Sequence, residues 1–288
     1  MSLKEKLDSG KFVITSEVGP PKGVDIEEMR ADAELMKGRI DGVNVTDQQS
    51  AVMRLGSLAV SHLVKDWGME PIFQVTCRDR NRIALQSDLL SASIMGIDNV
   101  LCLTGDHMAL GDHTSAKPVF DLDSVGLLKA AMGLMGGCDL GGQELKGKPD
   151  FFLGACVTPG ADPLEPQLIK MENKVKAGAK FFQTQAVYEP RKFEEFMKEA
   201  KKFGVPVLAG IILLKSAGMA RFMNKNVAGV FVPDKLIEEM ERAEKKVDKS
   251  IEIAARLINE VKGMCQGVHI MPIGWEKRVP AVLDAAGL

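Results

Sequence analysis

The sequence predicts an α/β fold, a single (β/α)8 TIM barrel in which all strands are parallel. Eight short runs rich in Val, Ile, Leu and Phe alternate with segments of helical periodicity, and the runs are apolar along nearly their whole length. Strands of that kind are buried on both faces, as a parallel sheet requires. The alternation favours a closed barrel, with an open doubly wound sheet as the alternative. The predicted strands are Phe12–Glu17, Gly42–Thr46, Ile72–Thr76, Asn99–Leu103, Phe151–Thr158, Phe181–Gln185, Val205–Ile212 and Gly267–Met271.

Apolar residues spaced three or four apart predict the helices between the strands. One such stripe extends from Ile26 to Met36. Asp25 and Glu28, three residues apart at its start, predict a capping box that satisfies free N–H groups of the first turn. Pro190 precedes a later stripe and is expected in the first turn of that helix, where proline is tolerated.

The remaining segments predict further helices, surface loops and the number of domains. The charged segment Asp234–Gly263 predicts two helices with a break near Asp248. Gly105–Pro118 and Gly136–Pro149 are rich in glycine and polar residues, which is typical of surface loops. Because α/β barrels commonly use about 200–250 residues as one domain, we expect residues 1–288 to form a single domain.

Composition excludes several classes of protein. With 45% hydrophobic and 26% charged residues, the chain has the proportions of an ordinary globular protein. Its formal net charge is −2 and its Lys and Arg residues are dispersed, so no basic stripe predicts nucleic-acid binding. Neither a signal-peptide core nor a run of about 18 apolar residues is present, so we expect a cytoplasmic protein without a membrane partner.

Cysteine usage is consistent with that expectation. The five cysteines are widely spaced and form no C-x-x-C motif, so neither a disulfide framework nor a zinc ribbon is predicted. We expect reduced thiols, three of them inside strands as small hydrophobic residues. The cysteines are Cys77, Cys102, Cys138, Cys156 and Cys265.

Polar residues stand at the carboxyl ends of six predicted strands. In a parallel barrel these ends meet at one rim, where active sites of this fold are built. The set holds three carboxylates among neutral amides and hydroxyls, which suits a neutral heterocycle better than a metal ion or a polyphosphate. These residues are Glu17, Asn44, Thr46, Asp47, Gln74, Thr76, Thr104, Asp106, Thr158, Gln183 and Gln185.

Motifs for other chemistries are absent or weak. No G-x-G-x-x-G follows the first strand, and the chain has no P-loop and no G-x-S-x-G elbow. The glycine-rich run 136–142 has the wrong spacing for a dinucleotide fingerprint. His107 and His113 flank Asp112, but a polar loop explains them at least as well as a metal site, so no metal is predicted.

Seven segments together resemble the methylenetetrahydrofolate reductase family. Each is weak alone, but they occur in order and at suitable spacing. The resemblance implies a (β/α)8 barrel that binds flavin, usually FAD with FMN as the alternative, and reduces 5,10-methylenetetrahydrofolate to 5-methyltetrahydrofolate. The segments are Ser16–Lys22, Val43–Asp47, Gln74–Cys77, Leu103–Asp106, Asn173–Ala179, Thr184–Gln185 and Ala209–Ile211.

The resemblance also implies roles for individual residues. Glu17 matches the general acid that opens the methylene bridge, and Asp106 matches the carboxylate close to flavin and pterin. The expected substrate-binding residues are Gln185 and Gln183. The expected cofactor-binding residues are Thr46, Gln74, Thr76, Asp106 and Lys174.

Departures from the family pattern leave the electron donor open. Thr104 stands where members that use a nicotinamide have a basic residue, and Ala186–Tyr188 replaces expected aromatics. Met219 and Met223 likewise stand where stacking aromatics are expected. The donor is therefore either NAD(P)H or an electron-transfer partner subunit, and an oligomer is expected. The functional alternatives are a pterin-binding methyltransferase barrel and a non-catalytic folate-binding subunit.

Overall fold

Eight parallel strands close into a barrel in chain order. The structure, a computed structural model, describes residues 1–288; each strand pairs in parallel with the next, and the eighth pairs with the first. The predicted TIM barrel is thus confirmed, and every predicted strand boundary lies within two residues of the observed one. The strands are β1 (Val13–Val18), β2 (Gly42–Val45), β3 (Pro71–Thr76), β4 (Asn99–Leu103), β5 (Phe152–Val157), β6 (Phe181–Ala186), β7 (Val207–Ile212) and β8 (Gly267–Met271).

Eleven helices accompany the strands. Most connect consecutive strands, whereas two consecutive short helices, α8 and α9, pack on each other between β7 and α10. None of the helices is both long and apolar enough to cross a membrane. They are α1 (Leu3–Asp8), α2 (Glu27–Met36), α3 (Ser57–Asp66), α4 (Arg82–Ile94), α5 (Ser124–Gly136), α6 (Glu165–Lys176), α7 (Pro190–Ala200), α8 (Ala217–Asn226), α9 (Asp234–Arg242), α10 (Lys246–Val261) and α11 (Val279–Ala286).

One predicted helix cap is wrong, and one predicted break between helices is displaced by a few residues. The N-cap of α2 is Ile26, so Asp25 lies one residue too early for a capping box and instead accepts a hydrogen bond from the backbone N–H of Glu27 (3.1 Å). The charged segment forms two helices as predicted, α9 and α10, and the break between them falls at residues 243–245, shortly before Asp248. Asp248 belongs to the first turn of α10, where its negative charge is favourable beside the helix dipole.

Other local predictions hold with one exception. Pro190 begins α7 as expected. Cys102 and Cys156 lie inside strands, but Cys77 is buried just after β3, so two cysteines and not three are strand residues. The loop Gly105–Pro118 contains one turn of 3₁₀ helix and is otherwise irregular and largely exposed.

A small apolar cluster fills the amino-terminal end of the barrel. Two residues of α1 close it from below, and the rings of Phe152 and Phe181 stack inside it with centroids 5.0 Å apart. Gly154 is required beside them, because a Cβ there would lie 2.3 Å from the Phe181 ring. This amino-terminal plug consists of Leu3, Leu7, Val13, Ile72, Leu101, Phe152, Phe181 and Leu208. The polar interior residues therefore lie above it, toward the carboxyl rim.

Candidate active site at the carboxyl rim

The strand pleat directs the predicted site residues into the barrel. Side chains alternate between faces along a strand, so residues two and four places after a plug residue also face the interior. The predicted residues on β1, β3 and β6 all have this spacing from Val13, Ile72 and Phe181. They are Glu17, Gln74, Thr76, Gln183 and Gln185.

A buried chain of polar side chains crosses the barrel above the plug. Glu17 Oε2 lies 3.7 Å from His269 Nε2, and His269 Nδ1 lies 3.0 Å from Thr15 Oγ1. Gln183 donates to Thr15 Oγ1 (3.3 Å) and to Asn44 Oδ1 (3.0 Å), and Asn44 donates back to Gln183 Oε1 (2.7 Å). All five side chains are buried. We call this set the interior polar chain, and it connects the candidate acid with β2, β6 and β8.

The two predicted substrate amides occupy different depths. Gln183 is 1% exposed and its amide is fully engaged in the interior polar chain. Gln185, two residues nearer the rim, is exposed and its side chain makes no hydrogen bond within the protein. The geometry leaves Gln185 free for a ligand and gives Gln183 a position beneath it. Direct substrate contact by Gln183 stays a prediction.

Sequence reasoning missed His269. It lies in the middle of β8 at an inward-facing position and is 4% exposed. The available signal was an imidazole inside an otherwise apolar strand, two residues after Gly267 on the interior face. A polar ring at such a position requires a hydrogen-bonding partner, and Thr15 is that partner, while the Glu17 carboxyl lies 3.7 Å from the other ring nitrogen.

A second network fixes the ends of β2 and β3. Asp47 Oδ2 accepts hydrogen bonds from the backbone N–H (2.9 Å) and the hydroxyl (2.8 Å) of Thr76, and it also pairs with Arg80. Arg80 pairs in addition with Asp88 (2.9 Å). Burial opposes the charge of Arg80, but the carboxylates of Asp47 and Asp88 prevail and raise its pKa. Because the Thr76 hydroxyl donates its proton to Asp47, its oxygen can only accept from a ligand.

Three other predicted cofactor residues have unused polar capacity. Thr46 Oγ1 is buried and has no hydrogen-bond partner, and the amide of Gln74 makes no hydrogen bond either. An orphaned buried hydroxyl costs about 1–3 kcal/mol unless a ligand satisfies it. Lys174 Nζ donates to the carbonyl of Cys156 (2.7 Å), and burial lowers the pKa of this ammonium. An acceptor, a donor and a cation are thus available beside β2, β3 and β5.

The loop after β4 holds Asp106 at the rim. Gly105 has φ +94°, and a Cβ there would lie 3.0 Å from the Cβ of Thr76, so the close approach requires glycine. Arg78, which is 1% exposed, donates to the carbonyl oxygens of Asp106 (3.3 Å) and Gln48 (3.2 Å). The Asp106 carboxylate itself is exposed and makes no hydrogen bond within the protein. Its backbone is thus fixed while its charge stays free for a ligand.

A cleft of roughly 700 Å³ opens beside Glu17. Its walls come from the loops after β1, β2 and β8 and from α2. Gln49 Nε2 lies 3.5 Å from Glu17 Oε1, so Gln49 is the neighbour of the candidate acid on the cleft side. The lining residues include six carboxylates: Glu17, Asp25, Glu27, Glu28, Asp32 and Glu276.

Comparison with known proteins identifies the family. A profile described as methylenetetrahydrofolate reductase matches residues 2–287. The chain belongs to the methylenetetrahydrofolate reductase family. It is 26% identical over 317 residues to methylenetetrahydrofolate reductase 2 of Schizosaccharomyces pombe, which covers 100% of this chain and 47% of that protein. It is 22% identical over 235 residues to the probable methylenetetrahydrofolate reductase (NADPH) of Caenorhabditis elegans, covering 77% and 33%. The chain thus spans about half or less of these relatives' length.

Solved structures share the barrel. An uncharacterized protein from Clostridium thermocellum, which binds two copies of 5-methyl-5,6,7,8-tetrahydrofolic acid, superposes with a TM-score of 0.71 at 19% identity, over 99% of this chain and 97% of that chain. A 2,3-dimethylmalate lyase superposes with a TM-score of 0.54 at 11% identity, over 99% and 87%. At these identities the superpositions show the fold.

The residues that depart from the methylenetetrahydrofolate reductase pattern make contacts within the protein. Thr104 Oγ1 accepts a hydrogen bond from the first backbone N–H of α5 (3.2 Å). Residues Ala186–Tyr188 are buried among the outer helices, and Tyr188 donates to the carbonyl of Ile212 (3.2 Å). Met219 and Met223 also pack against the outer core. None of these residues directs an aromatic ring over the rim.

Proposed function

We propose that this chain is a flavin-dependent methylenetetrahydrofolate reductase. In this reaction 5,10-methylenetetrahydrofolate is reduced to 5-methyltetrahydrofolate, within the one barrel formed by residues 1–288. The observation that carries the proposal is the position of Glu17, a nearly buried carboxyl that faces a cleft large enough for a folate and adjoins a rim with unused polar groups. Family membership supports the same reaction.

The rim groups fit a flavin, FAD or alternatively FMN. Its ring system presents N–H and carbonyl groups, which match the orphaned hydroxyl of Thr46, the free amide of Gln74 and the accepting oxygen of Thr76. Lys174 supplies a positive charge toward the phosphate or ribityl part of the molecule. When bound, the flavin supplies the hydride, while the protein binds and orients it. Asp106 adds a negative charge near the reacting ring.

Glu17 holds the proton that the folate bridge requires. Opening the bridge leaves one of its two nitrogens as an amine, and a general acid placed at that nitrogen assists the departure. Gln49 donates a hydrogen bond to the carboxyl (3.5 Å), His269 lies 3.7 Å from its other oxygen, and Thr15 fixes the orientation of the His269 ring. His269 is therefore a positioning residue, because it acts on the substrate through Glu17.

Gln185 and Asp106 bind the pterin. Both are exposed at the rim and have no partner within the protein, so an amide and a carboxylate are free to pair with the pterin's N–H edge. Gln183 stabilises this arrangement from beneath through Asn44 and Thr15.

An electron-transfer protein is the proposed donor. The positions at which the family pattern implied nicotinamide contacts hold Thr104, which binds α5, and Ala186–Tyr188, which is buried in the outer core. Neither position offers a stacking ring or a cation to a nicotinamide nucleotide.

Purification tests the proposal directly. Protein purified without added cofactor is denatured by heat, and the supernatant is analysed by chromatography for FAD and FMN. One flavin per chain and flavin-dependent oxidation of 5-methyltetrahydrofolate with a dye acceptor are expected. A colourless protein that cannot be reconstituted with either flavin overturns the proposal. In that case, methyl transfer to a corrinoid would identify a methyltransferase. Folate binding without either reaction would identify a non-catalytic binding subunit.

A further inference from the structure

The turn after β8 contains a strained residue. Ile273 has φ +50°, in the left-handed region that a β-branched side chain rarely adopts, and the next residue, Gly274, has φ +80°. Such strain persists only where the surroundings impose it, and it concentrates at ligand sites. A glycine or asparagine at position 273 would remove the strain, so the isoleucine side chain has to be explained.

Lys215, from the loop after β7, imposes this conformation. Its ammonium donates a hydrogen bond to the carbonyl of Ile273 and lies 5.4 Å from the centroid of the Trp275 ring. On the other side, Glu276 accepts a hydrogen bond from the N–H of Gly274 (3.1 Å). The turn is therefore fixed by contacts on both sides of Ile273.

The Ile273 side chain lines the cleft beside Glu17. Of the long or branched apolar residues in that lining, Val18 and Met29 are 1% and 8% exposed and contribute little surface, whereas Ile273 is half-buried. Apart from Pro21, Ile273 thus provides the apolar side-chain surface of a wall dominated by carboxylates. The strained backbone holds this apolar surface in the cleft, which points to contact with an apolar part of a ligand.

The proposed reaction indicates which part of the ligand contacts Ile273. The methylene bridge joins the pterin to the nitrogen that carries the aminobenzoyl ring of the folate. If Glu17 serves that nitrogen, the aryl ring has to lie next to Glu17, where the cleft opens. We propose that Ile273 is a specificity-determining residue that packs on the aryl ring, and that Lys215 is the positioning residue that holds Ile273 in place. This inference rests on the proposed function.

Binding measurements with a truncated ligand test this assignment. The probes are 5-methyltetrahydrofolate and a 5-methyltetrahydropterin that lacks the aminobenzoylglutamate arm, each titrated into the holoenzyme with calorimetric detection. Ile273→Asn keeps a side chain that tolerates positive φ. Losing the contact of a half-buried isoleucine should weaken folate binding roughly five- to tenfold and leave pterin binding unchanged. The melting temperature should be unchanged or higher, because the strain is relieved.

Lys215→Met provides a second variant, since it keeps the aliphatic stem but removes the hydrogen bond to Ile273. It should weaken folate binding in the same direction, and Lys215→Arg should restore most of the loss. Equal folate affinity in wild type and both variants overturns the inference while leaving the proposed function intact. A wild-type protein that binds neither probe contradicts the proposed function itself.

Discussion

Replacing Glu17 by glutamine separates proton donation from every other property of the site. Glutamine keeps the size of the side chain and can still accept the hydrogen bond from Gln49, so the buried position gains no cavity and no unpaired charge. The free energy of unfolding should therefore change by less than about 1 kcal/mol. What the amide lacks is a proton to donate, and general acid catalysis contributes about 10²–10⁴-fold, or about 3–5 kcal/mol of barrier.

The expected defect is confined to one half-reaction. Reduction of the flavin requires no proton at the folate nitrogen, so its rate with dithionite and the flavin content should equal wild type. Folate turnover should fall at least about 100-fold. Stopped-flow absorbance of the flavin measures both steps on the same sample. Glu27→Gln is the matched control, because Glu27 lines the same cleft but is exposed, and it should be fully active. Normal folate turnover by Glu17→Gln would remove Glu17 from the mechanism.

Three further perturbations test other parts of the site. NADH alone should bleach the flavin far more slowly than folate turnover requires; stopped-flow bleaching at the turnover rate would refute the protein-donor proposal. Thr46→Val removes a hydroxyl that has no partner, so the apoprotein should melt no lower than wild type. The flavin dissociation constant should rise roughly tenfold. Unchanged flavin affinity in a fluorescence titration would contradict the assignment of Thr46 to the flavin site. Arg80→Met leaves the buried Asp47 carboxylate unpaired and should cost about 3–5 kcal/mol in urea unfolding; a loss below about 1 kcal/mol would show that the ion pair is unimportant.

The strands and the rim were predictable because their signals are local. A strand buried on both faces is apolar nearly throughout, and its end is marked by the first polar residues, so Glu17 and Asp106 are visible in the sequence. The difference in burial between Gln183 and Gln185 cannot be predicted from the sequence, because both side chains face inward. Their burial depends on how far each lies above the amino-terminal plug.

Long-range pairs account for the remaining omissions. Asp47 and Arg80 belong to loops after different strands, and no spacing rule connects them. His269 contacts Thr15, which is 254 residues away, only because the barrel closes β8 onto β1. The capping box failed for a different reason: the helix α2 begins one residue later than Asp25 requires, and such shifts of one residue are decided by packing.

The amino-terminal plug, which Leu3 and Leu7 of α1 close from below, affects how protons reach the site. Because it seals the amino-terminal end, the interior polar chain meets solvent only at the rim. In the proposed reaction a folate seated over the rim would cut Glu17 and His269 off from bulk water. The carboxyl would then exchange protons with bulk water only before the substrate binds and after the product has left. The barrel would therefore deliver one proton for each folate molecule that binds and leaves.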